Sequence, residues 1–293
     1  IPGIVIPGGF TIPFFYYNQF IQENKIDDQL YEMMNDQKFV HDPAYRRMRL
    51  TKFRERIQKG LVNNQLRAQV LRLAHAQFPG KGLFARSSSN SEDLPNFSGA
   101  GLHSSVPNVR SDNELIEAIK TVWASLWNFE AYEARERAGI DHAKVYMAVL
   151  IQEGINADSA GVMITADPYN QENKDAIYIS AKRGLGIKVV EGKKIAEQLI
   201  FRPQTNAVQV LTRSAEDSLL TFDDKGGVKE IPITGERSVL TDNMVRRLAR
   251  AAQNIKRVFN DKDQDIEWIY LHNQIYIVQS RPFITFRPSG PVL

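Results

Sequence analysis

Apolar and polar positions alternate between two periods along this chain, and the switches between them outline the elements. Residues 1–16 are apolar but broken by Pro2, Gly3, Pro7, Gly8, Gly9 and Pro13, a pattern that predicts short buried strands joined by turns. Over 27–76 the apolar residues return at helical spacing (Leu30, Met33, Met34; Leu50, Phe53, Ile57; Leu66, Val70, Leu73), which predicts two or three amphipathic helices. Residues 83–86 read as a short buried strand that runs into a loop of small residues, 87–101. A long helix is predicted over 111–138, with Ser111 as N-cap and Glu114 completing a capping box. Trp123 and Trp127, four residues apart, read as core on one helix face. Strands are predicted over 144–152, 161–165, 176–183 and 197–212, with a glycine-punctuated loop at 184–192. A basic amphipathic helix capped by Thr241 follows over 241–260, and then a hairpin over 264–281. The mixture predicts an α+β or α/β fold.

Composition narrows the chemistry. The chain has 293 residues, enough for one large domain or two modest ones, with 43% hydrophobic and 24% charged residues, both ordinary for a globular protein. A net charge of +3 is too dilute to argue for nucleic acid. The run Arg46, Arg47, Arg49, Lys52, Arg54, Arg56 reads as a solvated helix face, because acidic residues neighbour it and no aromatics interleave. A basic interaction module acting through 46–72 is the competing reading. Without cysteine there is no disulfide, thiol nucleophile, iron–sulfur cluster or cysteine-ligated zinc, which suits a cytoplasmic setting. The longest clean apolar run, 145–151, falls far short of the ~20 residues a bilayer requires, so no membrane partner is expected. The opening Ile1-Pro2-Gly3 carries no initiator Met and no basic leader, and reads as the edge of a longer polypeptide.

Three stretches are candidates for chemistry. In the hairpin, period 2 puts Asp265 and Glu267 on one face of their strand and Gln279 and Arg281 on one face of theirs. With a three-residue turn, His272-Asn273-Gln274, Leu271 faces Ile275, Glu267 faces Gln279 and Asp265 faces Arg281. Two carboxylates one pleat apart suit a hard cation such as Mg²⁺, and an Arg beside them can fork onto a phosphate. A cross-strand salt bridge on a solvated hairpin stays open beside that reading. The second stretch, 86–101, offers backbone N–H groups, three serine hydroxyls and Arg86 at a strand end, which suits an anion; a surface linker is its alternative. The third, Ala181-Lys182-Arg183-Gly184-Leu185-Gly186 and on to Gly192, is a weak phosphate-loop signal matching neither the dinucleotide fingerprint nor the P-loop. The five histidines (His41, His75, His103, His142, His272) read as surface or capping residues, none of them in a Gly/Thr-rich loop.

Several of these motifs belong together. Arg86-Ser87-Ser88, then Glu92-Asp93-Leu94-Pro95 and Gly99-Ala100-Gly101, resemble the nucleotide-binding domain of phosphoenolpyruvate synthase and pyruvate phosphate dikinase. Val122-Trp123-Ala124-Ser125-Leu126-Trp127, the stretch from Ala160-Gly161-Val162 to Asp167-Pro168, Gly184-Leu185-Gly186, Gln264-Asp265-Ile266-Glu267-Trp268 and Ile277-Val278-Gln279-Ser280-Arg281-Pro282 continue the match in order. Rifampicin phosphotransferases and glucan water dikinases look similar over the same span.

The resemblance implies an α+β ATP-grasp fold of two subdomains, 1–150 and 151–293, with ATP and Mg²⁺ in the cleft between them. Asp265, Glu267 and Gln279 would hold the metal. Gln279, Arg281, Arg86 and Arg135 would contact the phosphates, with Arg86 and Arg281 as the catalytic pair. Ser87 and the loop 87–101 would cover the triphosphate. Gln152, Glu153, Gly154 and Ile155 would form the adenine-holding hinge. The implied activity is that of an ATP-dependent phosphotransferase: the β-phosphate of ATP passes to a histidine on a separate swivelling domain, and AMP and phosphate leave. That histidine is not in this sequence, nor is the Gly-Lys segment that the family places upstream of 1–12, so ATP affinity is expected to suffer. The leading expectation is a phosphoenolpyruvate synthase-like enzyme. A glucan water dikinase-like or rifampicin phosphotransferase-like one, or a non-catalytic ATP-sensing module, are the alternatives.

Overall fold

The computed structural model describes residues 2–94, 97–99, 101–170, 173, 175–187, 195–234 and 238–283. In chain order its first elements are β1 (Ile4–Val5), β2 (Gly9–Ile12), α1 (Phe14–Glu23), α2 (Asp27–Asn35), α3 (Gln37–His41), α4 (Pro43–Lys59) and α5 (Asn64–Gln77). Next come β3 (Leu83–Ser89), β4 (Asp93–Leu94), β5 (Phe97–Ser98), β6 (Val106–Val109), α6 (Asp112–Ser125), α7 (Phe129–Arg137) and β7 (Met147–Glu153). The remainder is β8 (Ser159–Ile164), β9 (Ile177–Arg183), β10 (Glu197–Arg202), β11 (Ala207–Thr212), β12 (Ser218–Phe222), β13 (Val228–Pro232), α8 (Asp242–Val258), β14 (Gln264–Leu271) and β15 (Gln274–Pro282). The mixed class expected from the sequence is what these elements form.

They fall into two compact units: Gly8–Gly154 with Asp223–Gly227, and Ile1–Pro7 with Ile155–Phe222 and Val228–Leu293. The first is built on an antiparallel sheet of order β2-β7-β3-β6. Its core joins Ile12, Ala85, Val149 and Ile151 of the sheet to Phe20, Phe53, Trp123 and Trp127 of the helices. Both tryptophans are buried as expected, and Trp127 Nε1 donates to Tyr17 Oη at 2.9 Å.

Three boundaries around the helices differ from expectation, each for a local reason, and the stretch 197–212, expected as strand, is two antiparallel strands, β10 and β11, joined by a turn. The apolar stretch 1–16 ends in the first turn of helix α1, because Pro13 (φ −64°) starts a helix at Phe14 instead of continuing the strand. The region 27–76 holds four helices, since Asp36 and Asp42 each turn a carboxylate onto following backbone N–H groups and so begin a new helix. The predicted helix 111–138 is two, α6 and α7, broken at 126–128; its capping box between Ser111 and Glu114 is present. Arg46 is not on a solvated face: it is buried, its Nε donating to Phe39 O at 2.9 Å and its terminal nitrogens meeting Glu133 and Val40 O. Arg47 and Arg49 pair with Glu130 and Asp36.

The second unit is a seven-stranded sheet, β1-β15-β14-β8-β9-β10-β11, in which only the β1–β15 pair is parallel. Helix α8, capped by Thr241 as expected, lays Val245, Leu248, Ala249, Ala252 and Ile255 on Met163, Ile179, Ile266 and Trp268. Gly161 of β8 is where Trp268 meets the neighbouring strand. A Cβ there would lie 1.9 Å from Ser180 O and 3.0 Å from the indole. The hairpin β12–β13 is a further element that the sequence pattern does not predict.

Candidate functional site

The site centres on the hairpin β14–β15. Buried and half-buried residues alternate strictly along β14, so Gln264, Ile266, Trp268 and Tyr270 face the core while Asp265 and Glu267 face away from α8. The register pairs Asp265 with Arg281 and Glu267 with Gln279, as expected. The turn differs. It has two residues, His272 and Asn273, at φ 47° and 66°, the backbone of a type I′ hairpin, and Leu271 faces Gln274. The one-residue discrepancy is absorbed where the register shifts between Glu267 and Trp268: Trp268 opposes Ile277, Glu267 opposes Gln279, and Val278 is the extra residue of a β-bulge. Asp265 Oδ2 accepts from Arg281 Nε at 2.9 Å and Nη2 at 2.7 Å. Each side chain keeps about a fifth of its surface exposed, so the pair is accessible to a ligand.

Lys182 shares this face. It opposes Ala160, which opposes Ile269, two residues from Glu267. The sequence flagged Lys182 only as part of a basic glycine loop. Gly184 and Leu185 of that loop are buried and Gly186 is exposed. Gly184 takes φ +65°, and a Cβ there would meet Leu220 O at 2.2 Å, while Arg183 Nη2 donates to Ser238 O at 2.7 Å. Residues 188–192 of the loop lie outside the described residues.

The remaining candidates divide by strand parity. In the sheet of the first unit Arg86 opposes Leu150 and Phe84 opposes Gln152, so Arg86 and Gln152 share a face. Ser87 opposes Val149 and points to the other face, with Ala85 and Ile151 of the core. The strand runs on through Ser89, so Ser87, Ser88 and Ser89 belong to β3 and not to a loop. Beyond them β4 and β5 form a short ladder, and Pro95, Asn96 and Ala100 of the expected covering loop lie outside the described residues. Glu153 Oε1 accepts from Lys81 Nζ at 2.5 Å and its backbone N–H donates to Gly8 O at 2.9 Å. Ile155, assigned to the other unit, is buried.

Arg135 is fully buried on α7, its guanidinium 5.6 Å from the Trp127 ring centroid, and burial pulls its pKa down to about 10. Two histidines lie beside it, and neither is the surface residue expected. His142 is buried and stacked on Tyr132. His103 Nδ1 lies 3.3 Å from Ser125 O, and burial pushes its pKa down to about 4.

Between pH 6.5 and about 4, the unfolded chain takes up a proton at His103 that the folded chain refuses, so stability falls as pH is lowered through that window. The loss reaches about 3 kcal/mol at the acid end. His103→Gln is expected to flatten this slope in urea titrations run across the window, and an unchanged slope would place the acid sensitivity elsewhere.

Among the described residues no group of three or more His, Asp or Glu is arranged for a metal ion, and no helix is long and apolar enough to cross a membrane. The donors present, two carboxylates and an amide oxygen on one strand pair, are hard oxygen ligands of the kind Mg²⁺ takes in small number beside substrate phosphates.

Comparisons with known proteins match the sequence to a family. The chain is 28% identical to a probable phosphoenolpyruvate synthase of Methanocaldococcus jannaschii over 293 residues, 97% of this chain and 24% of that protein. It is 30% identical to a rifampicin phosphotransferase of Bacillus subtilis over 296 residues, 98% of this chain and 33% of that protein. It thus spans a quarter to a third of the length of these curated relatives. Among solved structures, D-alanine–D-alanine ligase from Helicobacter pylori aligns with a TM-score of 0.34 at 14% identity, over 76% of this chain and 47% of that one. The family model described as the pyruvate phosphate dikinase AMP/ATP-binding domain matches residues 1–289, and the chain belongs to that family.

Proposed function

We propose that this chain is the nucleotide-binding part of a dikinase-type phosphotransferase, holding MgATP while its β-phosphoryl group passes to a histidine on a separate domain. The observation that carries the reading is the hairpin register, which groups Asp265, Glu267, Gln279 and Arg281 on the face away from α8. Asp265, Glu267 and Gln279 are the proposed metal ligands. Bound there, Mg²⁺ would neutralise charge on the phosphate oxygens. Arg281, already oriented by Asp265, would turn a guanidinium edge to the same phosphates. Lys182 adds a cation to that face. Arg86 and Arg135 of the first unit would contact phosphate oxygens, while Gln152 and Glu153 of that unit and Ile155 of the hairpin's own unit would hold the adenine. The parity of β3 favours Arg86 over Ser87 as a ligand.

The whole polypeptide would carry out a two-bond exchange on ATP. The histidine nitrogen takes the β-phosphorus, the bond from the bridging oxygen to that phosphorus breaks, AMP departs with that oxygen, and water carries off the γ-phosphoryl group as phosphate. The protein's part is positioning and charge neutralisation. Phosphoenolpyruvate synthase-like chemistry at the final acceptor is the leading form. The test is product analysis of the full-length protein with MgATP: AMP and phosphate, with label from the β-position retained on protein histidine, is the expected result. ADP as the product would overturn the dikinase reading.

A further inference from the structure

The orientation of Arg135 is over-determined, and the device that fixes it is a histidine. Arg135 Nε donates to His142 Nδ1 at 3.4 Å, so that ring nitrogen is an acceptor and carries no proton. The ring proton therefore sits on Nε2, which donates to Glu136 Oε2 at 2.9 Å. The imidazole lies flat on the Tyr132 ring, centroids 3.9 Å apart and planes 3° apart. Tyr132 thus fixes the plane of the ring and Glu136 its tautomer, and the remaining nitrogen holds one edge of the guanidinium. The other edge, Nη1 and Nη2, is buried and has no hydrogen-bond partner among the described residues. Around Arg135 stand Tyr17 from α1, His103 from the segment after β5, the Trp127 ring, and His142 and Tyr132. None of these is an anion. A buried guanidinium with one edge engaged and the other empty is costly unless an anion completes it.

We propose that His142, held by Glu136 and Tyr132, is a positioning residue that aims the Nη edge of Arg135 at the phosphates of ATP, and that it does so only as the neutral imidazole. The inference rests on the reading of Arg135 as a phosphate ligand. Protonation would convert Nδ1 from acceptor to donor, break the bond from Arg135 Nε and set two cations side by side. The charged and titratable groups facing His142 are Arg135, Glu136 and Tyr132 on α7 and Asp141 of its own turn. Burial and Arg135 together hold the ring neutral below the ordinary imidazole range.

The experiment is calorimetric titration of this chain with MgATP and, separately, adenosine, from about pH 7.5 to about pH 5, a range in which His103 stays neutral. Four proteins are compared: wild type, His142→Phe, His142→Asn and Arg135→Met. His142→Phe keeps a ring on Tyr132 and removes the acceptor, so MgATP is expected to bind about tenfold more weakly with adenosine unchanged. His142→Asn keeps an acceptor that does not titrate. It should stay within about threefold of wild type at neutral pH and lack the acid limb wild type shows beyond the titration of ATP itself. If Arg135→Met binds MgATP like wild type, the underlying reading of Arg135 fails. If Arg135→Met loses affinity while His142→Phe does not, the positioning role alone is overturned. Should His142→Phe not fold, the His142→Asn profile decides, and an acid limb matching wild type would overturn the proposal.

Discussion

MgATP affinity is expected to fall about 100-fold in Glu267→Ala, about 2.7 kcal/mol of binding, while ATP without metal binds no worse than to wild type. The asymmetry comes from the hairpin. Glu267 stands opposite Gln279 on the face away from α8, one pleat from the Asp265–Arg281 pair. A carboxylate at that place attracts a cation and repels a bare triphosphate. Removing it therefore costs only the metal-bound nucleotide. Glu267→Gln, which keeps the volume and loses the charge, should show the same selectivity to a smaller degree. Titration of each variant with ATP in the presence of Mg²⁺ and in EDTA checks this. An equal loss under both conditions would mean that Glu267 contacts the nucleotide directly or supports the strand, and the metal assignment would fall.

The second large effect is on stability. Gly161→Val is expected to destabilise the seven-stranded sheet by roughly 3 kcal/mol or more, lowering the melting temperature by about 5–10 °C. A Cβ at residue 161 would lie 1.9 Å from a backbone oxygen of β9, an atom that moves only if the strand moves. The Trp268 indole closes the other side at 3.0 Å. Trp268 is the next residue after Glu267, so repacking there reaches the carboxylate face. Loss of nucleotide binding should accompany the loss of stability. Gly161→Ala adds the same Cβ with fewer atoms beyond it and should fall between. Thermal unfolding followed by circular dichroism reads both, and a Gly161→Val protein melting with wild type would refute the packing argument.

How far the site could be read from sequence depended on strand parity. The alternation through Gln264–Arg281 is a local property, and it assigned Asp265, Glu267, Gln279 and Arg281 to one face despite a wrong turn length. The prediction survived because the two-residue turn and the bulge at Val278 are offsetting irregularities, and neither leaves a strong composition signal. Arg86 and Ser87 stand on opposite faces of β3 because the strand continues to Ser89. The run of small polar residues after Arg86 has the composition of a loop, which hides that continuation and with it the opposed faces. Arg46 and His142 were beyond reach for a different reason. Their burial is made by partners 87 and 10 residues away, Glu133 and Tyr132, and no local pattern separates a charged residue paired over such a distance from one in solvent. The four helices in place of two or three were legible in principle, since Asp36 and Asp42 are ordinary capping residues at the breaks.

The parallel pairing of Ile4 with Ile275 has a consequence for how the protein is made. Nearly all of the partners within Gly8–Gly154 are translated together, so that unit has what it needs before β8–β15 are made. The strand at Ile4–Val5 must wait for about 270 further residues, roughly tens of seconds at ribosomal rates, before its neighbour emerges. The hairpin bearing the carboxylates is the last regular structure of the described chain to leave the ribosome. A nascent chain stalled before Gln264 would therefore carry a complete Gly8–Gly154 segment and none of the four residues of the hairpin face proposed to hold the metal and phosphates.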